Sequence, residues 1–251
     1  MKQLVIARPA APGEEIRVEG RQFHHLHHVR RMTVGASLRV VDAGRVTYNA
    51  VIVSVAADSL TVRIGNRQET ASPETRVALY AAVLKGGKLD TVVRQAVEVG
   101  AASIVPVVTE RSVVPEAGAR SRLPRWRRIA AEAAEQSGSP PVDVHEPLGL
   151  RDVPNDFRAA GGGVGLVFHE NQELAQGSIH GYLDPTPSRV CVVVGPEGGL
   201  SPRETEFLIE AGFCVVRLPL NTLRAGTAAI VAVATVLTIA GEWKEWKKTD
   251  S

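Results

Sequence analysis

The segment Val192-Val193-Val194-Gly195-Pro196-Glu197-Gly198-Gly199-Leu200-Ser201-Pro202-Arg203-Glu204 constrains the fold more than any other stretch of the chain. Its β-branched run suits a strand covered on both faces, the setting of a parallel sheet flanked by helices. Ser201 with Glu204 three residues on spells a capping box, and Pro202 takes the favoured first helical position, so a helix restarts here. Between the two, Gly195, Gly198 and Gly199 remove side chains where the backbone turns and where a ligand can approach. Viewed alone the motif is equally a tight strand-to-helix connection. A second loop downstream shifts the balance toward a ligand site.

That loop is Leu218-Pro219-Leu220-Asn221-Thr222-Leu223-Arg224-Ala225-Gly226-Thr227-Ala228, a strand end and an irregular turn leading into the last long helix. Arg224 is its single charge. Exposed main-chain carbonyls and amides flanked by leucines suit a neutral, flat, partly apolar group such as adenine. A bare phosphate would require more donors.

Both loops sit within a strand–helix alternation that begins at Arg76. Strands are expected over 77–84, 104–108, 142–144, 164–168, 190–194 and 213–218, and helices over 88–99 and 124–137, stopped by Gly100 and Gly138. Leu89, Val92, Val93, Ala96 and Val97 give the first helix one apolar face. Such alternation implies a mostly parallel sheet with helices on both faces, and ligands in such sheets bind beyond the carboxyl ends of the strands. His169-Glu170, after the 164–168 strand, belongs to that rim.

Before about Gly65 the pattern is different. Short β segments over 4–7, 37–41, 46–55 and 60–64 read as a small antiparallel barrel. A helical piece over about 21–30 interrupts it, with Phe23, Leu26 and Val29 as a narrow inward stripe and histidine and arginine on the other face. The polar stretch 66–75, containing Ser72-Pro73-Glu74-Thr75, is the expected linker. The chain is therefore divided into residues 1–70 and 74–251.

With 251 residues and 44% hydrophobic content the chain can bury a sizeable core, which excludes a disordered or fibrous protein. Lys+Arg 29 against Asp+Glu 27 leaves a formal charge of only +2, so any nucleic-acid surface must be local. Two local clusters stand out: Arg120, Arg122, Arg125, Arg127 and Arg128, and Arg21, His24, His25, His27, His28, Arg30 and Arg31. A solvated helix face is the plain alternative for the first. His24 and His28 could share a helix face, but without neighbouring cysteine or carboxylate ligands no metal site is expected. Cys191 and Cys214 lie in apolar runs and are expected as reduced core residues, which fits the cytosol. No secretory signal is read at the N-terminus. The apolar stretch 225–240 is shorter than the ~20 residues of a membrane span, and it reads as a buried helix.

On these motifs the sequence resembles the SPOUT-class RNA methyltransferases, specifically the bacterial small-subunit (16S) ribosomal RNA uridine-N3 methyltransferases of RsmE type. The resemblance rests on Gly195-Pro196-Glu197-Gly198-Gly199-Leu200-Ser201 with Glu204, on Leu223-Arg224 with Thr227-Ala228, and on Glu98-Val99-Gly100. Pro106 with Glu110-Arg111-Ser112, Trp126 with Glu135-Gln136-Ser137, and His25 with Arg31-Met32 extend it along essentially the whole chain. It implies an α/β fold: a PUA-like RNA-binding β-barrel followed by a SPOUT domain with a mostly parallel sheet and a deep trefoil knot. It also implies S-adenosylmethionine as cofactor, ribosomal RNA of the small subunit or its assembly intermediate as partner, and a homodimer formed through the knot.

Carried onto this chain, the resemblance places the cofactor against His169, Gly195, Pro196, Glu197, Gly198, Gly199, Leu218, Leu220, Asn221, Leu223, Arg224, Ala225, Thr227 and Ala228. Arg224, stabilising charge on the uracil oxygens, and Glu197, the nearest motif carboxylate, are the expected catalytic residues. Glu197 has an alternative role as a loop brace. RNA contacts are expected from Arg21, His25, Arg30, Arg31, Lys85, Lys88, Arg111, Arg125 and Arg128. The chain departs from the family pattern at Gly226, where glutamate is frequent, at Ser139-Pro140-Pro141, where an arginine is usual, and at Asp90 and Gln95 in place of glutamate and lysine. Methylation of ribose 2'-OH or another base, and a non-catalytic RNA-binding knot protein, are the alternatives. A nucleotide oxidoreductase is not, because the loop does not fit G-x-G-x-x-G.

Overall fold

In the computed structural model, which describes residues 3–44, 46–68, 75–171, 174, 175 and 177–249, the chain divides into two compact units. The first comprises residues 1–72 with 134–141, and the second 73–133 with 142–251. Most of the expected linker, residues 69–74, lies outside the described residues.

The first unit is a curled five-stranded sheet in the order β1-β3-β4-β5-β2, built from β1 (Gln3–Val5), β2 (Glu15–Glu19), β3 (Ser37–Val41), β4 (Thr47–Val55) and β5 (Ser59–Gln68). β2 alternates strictly and β4 and β5 do so over their middle residues, so Ile16, Val18, Tyr48, Ala50, Ile52, Leu60, Val62 and Ile64 fill one interior. The pairings are antiparallel except β1 with β3, which is parallel. The expected helix is present as α1 (Gly20–Phe23) running into a π-helical turn, His24–Val29. That turn corrects the predicted stripe: Phe23 and Leu26 are buried, but Val29 is 58% exposed. Wider i→i+5 turns rotate the sixth residue off the line that an α-helix would keep. Within this unit Arg39 donates to Gly138 O at 2.6 Å and Gln3 to Ser139 O at 3.0 Å.

The second unit carries an all-parallel sheet ordered β12-β10-β11-β6-β7-β8, with β9 also paired to β7. Its strands are β6 (Arg76–Ala82), β7 (Ser103–Val108), β8 (Asp143–Val144), β9 (Leu148–Gly149), β10 (Val164–Phe168), β11 (Arg189–Val194) and β12 (Cys214–Val216). The helices are α2 (Lys88–Val99), α3 (Glu116–Arg120), α4 (Leu123–Ser137, of which residues 134–137 are counted with the first unit), α5 (Val153–Ala159), α6 (Ile179–Tyr182), α7 (Pro202–Glu210) and α8 (Ala225–Thr249). Their boundaries follow local chemistry. Gly100 and Gly138 close α2 and α4 with φ of 100° and 75°, where only glycine is unstrained. The Ser201 side chain accepts from Glu204 N at 3.2 Å while the Glu204 carboxylate accepts from Ser201 N at 2.9 Å, which completes the capping box of α7.

Helix α8 requires a correction to the fully buried reading of 225–240. Ala229, Ala232, Val233, Val236, Ile239 and Ala240 are buried, whereas Ile230, Val231, Ala234 and Leu237 are only half-buried along the other side. No helix among the described residues is long and apolar enough to cross a membrane. Cys191 is buried and Cys214 partly so; both thiols are free, and burial pushes both upward from the ordinary thiol range. Thiolate chemistry is thereby suppressed at Cys191.

Candidate active site

Four loops leave the carboxyl ends of β12, β10, β11 and β6, which are neighbours in the sheet in that order. They carry Arg217–Arg224, His169–Glu170, Gly195–Gly199 and Leu84–Gly87, segments as much as 140 residues apart in the chain, from Leu84 to Arg224. Their convergence encloses a cavity of about 780 Å³. That volume lies in the range of roughly 300–1,000 Å³ of small-molecule sites. A smaller hollow of about 120 Å³ adjoins it, sharing Phe168, His169, Glu170, Thr222, Leu223 and Ala228.

The glycine loop is held from three sides. A Cβ on Gly195 would stand 3.0 Å from Leu200 N and 3.2 Å from Gly199 C, so any side chain there would force the turn to give by a few tenths of an ångström. Gly199 adopts φ of 68° and donates its N–H to Pro196 O at 2.9 Å. Glu204, 6% exposed, accepts from Glu110 N at 2.8 Å as well as from Ser201 N, tying the loop after β7 to the start of α7. Arg111 donates to Gly198 O at 2.5 Å. On the cavity side Lys88 Nζ donates to the Glu197 carboxylate at 2.8 Å, and this hydrogen bond, opposed by desolvation, holds the Glu197 carboxyl below its ordinary range.

The second loop is sparsely braced. Leu220 N donates to Leu218 O at 2.8 Å, and the Leu220 side chain is 49% exposed over the smaller hollow. His169 N bonds Val216 O at 3.0 Å, while its Nδ1 accepts from Asn171 N at 3.0 Å, which fixes the ring at the rim. Arg224 is exposed, lines the larger cavity, and has no side-chain partner among the described residues. Gly226 lines the larger cavity, and a Cβ there would stand in ordinary contact with Val92 Cγ2, at 3.4 Å.

Most predicted residues therefore meet. His169, Gly195, Pro196, Glu197, Gly199, Leu223, Arg224, Ala225, Thr227 and Ala228 line the larger cavity, and Leu218, Leu220 and Asn221 line the smaller. Gly198 lines neither and contributes its carbonyl to Arg111. The sequence reading missed Leu84, Thr91, Val92 and Gln95, which belong to the wall because α2 starts beside the glycine loop. The tandem Gly86 and Gly87, with φ of 67° and 76°, were the available signal.

The basic residues divide. Lys88 and Arg111 are engaged by the glycine loop, and Arg125 by Asp90 at 2.6 Å, a carboxylate that also accepts from Trp126 Nε1 at 3.0 Å. Arg120 pairs with Glu116 at 2.7 Å, and Arg127 donates to Val144 O at 3.0 Å near Glu146. The arginine cluster is thus partly compensated, with Arg122 and Arg128 lacking side-chain partners among the described residues. Lys85 is exposed at the start of the glycine pair. In the first unit Arg21, Arg30 and Arg31 are exposed and His25 is half-buried, accepting from Arg30 Nε at 3.3 Å. Arg31 takes a φ of 52°, unusual for a residue other than glycine.

A parallel sheet whose adjacent carboxyl-end loops close over a mainly neutral cavity defines an α/β domain built to hold a nucleoside-like ligand. The RNA methyltransferase domain family matches residues 71–237, and the RNA methyltransferase PUA domain family matches residues 18–65. The ribosomal RNA small subunit methyltransferase E of Aquifex aeolicus is 31% identical over 83% of this chain and 88% of its own. The protein of the same name from Mycobacterium tuberculosis is 31% identical over 90% and 87%. A putative methyltransferase from Legionella pneumophila, solved with bound SAM, superposes with a TM-score of 0.77 at 25% identity, covering 94% of this chain and 96% of that one. The Neisseria gonorrhoeae ribosomal RNA small subunit methyltransferase E, bound to S-adenosyl methionine, shares the fold at a TM-score of 0.79, 24% identity, and 95% and 98% coverage. The chain belongs to the ribosomal RNA small subunit methyltransferase E family of PUA-containing RNA methyltransferases.

Proposed function

We propose that this protein methylates N3 of a specific uridine in 16S ribosomal RNA with S-adenosylmethionine as methyl donor. The observation that carries the reading is the convergence of the Gly195–Gly199 and Leu218–Ala228 loops on one cavity. The cavity fits the cofactor chemically: leucines and main-chain groups offer a neutral, partly apolar seat for an adenosyl group, and the Gly195 turn leaves its backbone bare. When bound, the cofactor supplies an electrophilic methyl group on a sulfonium centre.

The chain's own residues supply position and charge. The two loops hold the donor so that nucleophile and methyl meet in line, which contributes through lost translational freedom. Uridine N3 must give up its imide proton to solvent water before it takes the methyl, and until the methyl arrives the negative charge spreads over N3 and the flanking carbonyl oxygens. Arg224, exposed on the cavity wall, is placed to stabilise that charge. Lys85, Arg128 and the Arg21–Arg31 face of the first unit supply phosphate contacts.

Nucleoside mass spectrometry of ribosomal RNA from cells with and without the gene tests the reading. Loss of 3-methyluridine is the expected result. Loss of a 2'-O-methyl nucleoside instead, or an unchanged profile, would contradict it.

The reading also includes a cytoplasmic homodimer, formed through the trefoil-knotted part of the second unit and the half-buried stripe of α8. Ile230, Val231, Ala234 and Leu237 form a continuous apolar face that a second copy would cover. Light scattering is expected to give twice the 26.8 kDa chain mass, and Ala234→Glu to return it to a single chain. A wild-type monomer would contradict this part.

A further inference from the structure

Glu197 is the carboxylate of the Gly195–Gly199 turn and the natural candidate for a proton acceptor, yet the structure gives it another occupation. Its carboxylate takes the Lys88 ammonium at 2.8 Å, so it spans from the loop after β11 to the start of α2 after β6. Those strands are neighbours, and both loops form the cavity wall. Lys88 is the first residue of α2 and follows two glycines of positive φ, Gly86 and Gly87, a segment with little side-chain bracing of its own. On the opposite side of the same loop Arg111 fixes Gly198 O. The loop is therefore clasped between two cations, one of which acts through Glu197. A carboxylate so engaged is a weak base, because protonation would cost the contact with the Lys88 ammonium.

We propose that Glu197 and Lys88 are positioning residues: their ion pair clasps the two loops and sets the shape of the cofactor seat, and neither handles the transferred proton. The proposal rests on the methyltransferase reading above. It reassigns Glu197 from catalysis to loop bracing, and Lys88 from RNA contact to the same brace. Because the pair is partly exposed, with side chains 62% and 38% accessible, its effect belongs in cofactor affinity rather than in global stability.

The test uses the full-length protein, S-adenosylmethionine titration by calorimetry, and methyl transfer to small subunits lacking the modification at saturating cofactor. Glu197→Gln is expected to raise cofactor Kd about fivefold, with kcat within about threefold of wild type and an unshifted pH–kcat profile. Lys88→Glu, which sets two like charges against each other, is expected to raise Kd about tenfold or more. The reversed pair Lys88→Glu with Glu197→Lys should recover most of that loss, and Lys88→Arg should be close to wild type. A fall in kcat of about 100-fold or more in Glu197→Gln, with cofactor Kd unchanged, is the signature of a general base and would overturn the proposal. So would a reversed pair no better than Lys88→Glu. If wild-type protein itself binds no S-adenosylmethionine, it is the functional reading that fails, and the proposal falls with it.

Discussion

Replacing Arg224 with alanine is expected to lower the rate of methyl transfer at saturating cofactor by about 100-fold or more, while cofactor Kd changes by less than about threefold. The guanidinium lines the cavity, is exposed, and has no side-chain partner among the described residues, so it is available to the uracil oxygens as they gain charge. An interaction made chiefly in the transition state appears in kcat and leaves ground-state binding intact. Arg224→Lys should retain part of the activity, since it keeps the charge but loses the planar fork that can reach two oxygens. Single-turnover transfer of a labelled methyl group separates the two parameters. A loss of about tenfold or less in the alanine variant, with folding intact, would remove Arg224 from the proposed role.

The second large effect is on stability. Glu204→Ala is expected to cost about 2–4 kcal/mol, measured as a lowered urea midpoint with an unchanged slope. The carboxylate is buried and accepts from Ser201 N and Glu110 N, so truncation strands two main-chain donors and opens the capping box of α7. Glu204→Gln keeps one oxygen acceptor and should cost less than half as much. The same substitution should weaken cofactor binding, because the Glu110 strap and the Ser201 cap hold the far end of the glycine loop. A midpoint that does not move in Glu204→Ala would contradict this account of how the loop is anchored.

The central sheet was legible because burial on both faces writes continuous β-branched runs, as at Val190–Val194 and Val164–Phe168, and because Gly100 and Gly138 mark helix ends chemically. In the first unit, β2 was missed although Glu15-Ile16-Arg17-Val18-Glu19 alternates strictly. Three charges facing outward on a five-residue strand lower its mean hydropathy below what a run-based reading detects, and the period-2 pattern alone carried the signal. Val29 was misplaced because nothing local in His24–Val29 announces a π-helical turn; the geometry follows from how Leu26 and Met32 seat in the core.

At the site, main-chain features were readable and partnerships were not. The glycine loop and the Leu218–Ala228 segment could be paired because each has the composition of a ligand loop. The Lys88–Glu197 and Arg111–Gly198 contacts join residues 109 and 87 positions apart, and sequence distance hides them. Of the residues expected to contact RNA, Lys88, Arg111 and Arg125 each also have a partner within the second unit that sequence alone does not reveal. In a linear charge cluster the acids that interleave in space are invisible, as Glu116, Glu146 and Asp90 are here.

Calorimetric titration of S-adenosylmethionine into the wild-type protein and into Gly195→Val and Leu223→Asp, one change in each loop, probes the shared cavity directly. One cofactor per chain is expected for wild type, with binding lost in both variants while their far-ultraviolet circular dichroism stays native. No binding by wild type, or binding undiminished by either change, would mean that the two loops do not hold the methyl donor between them.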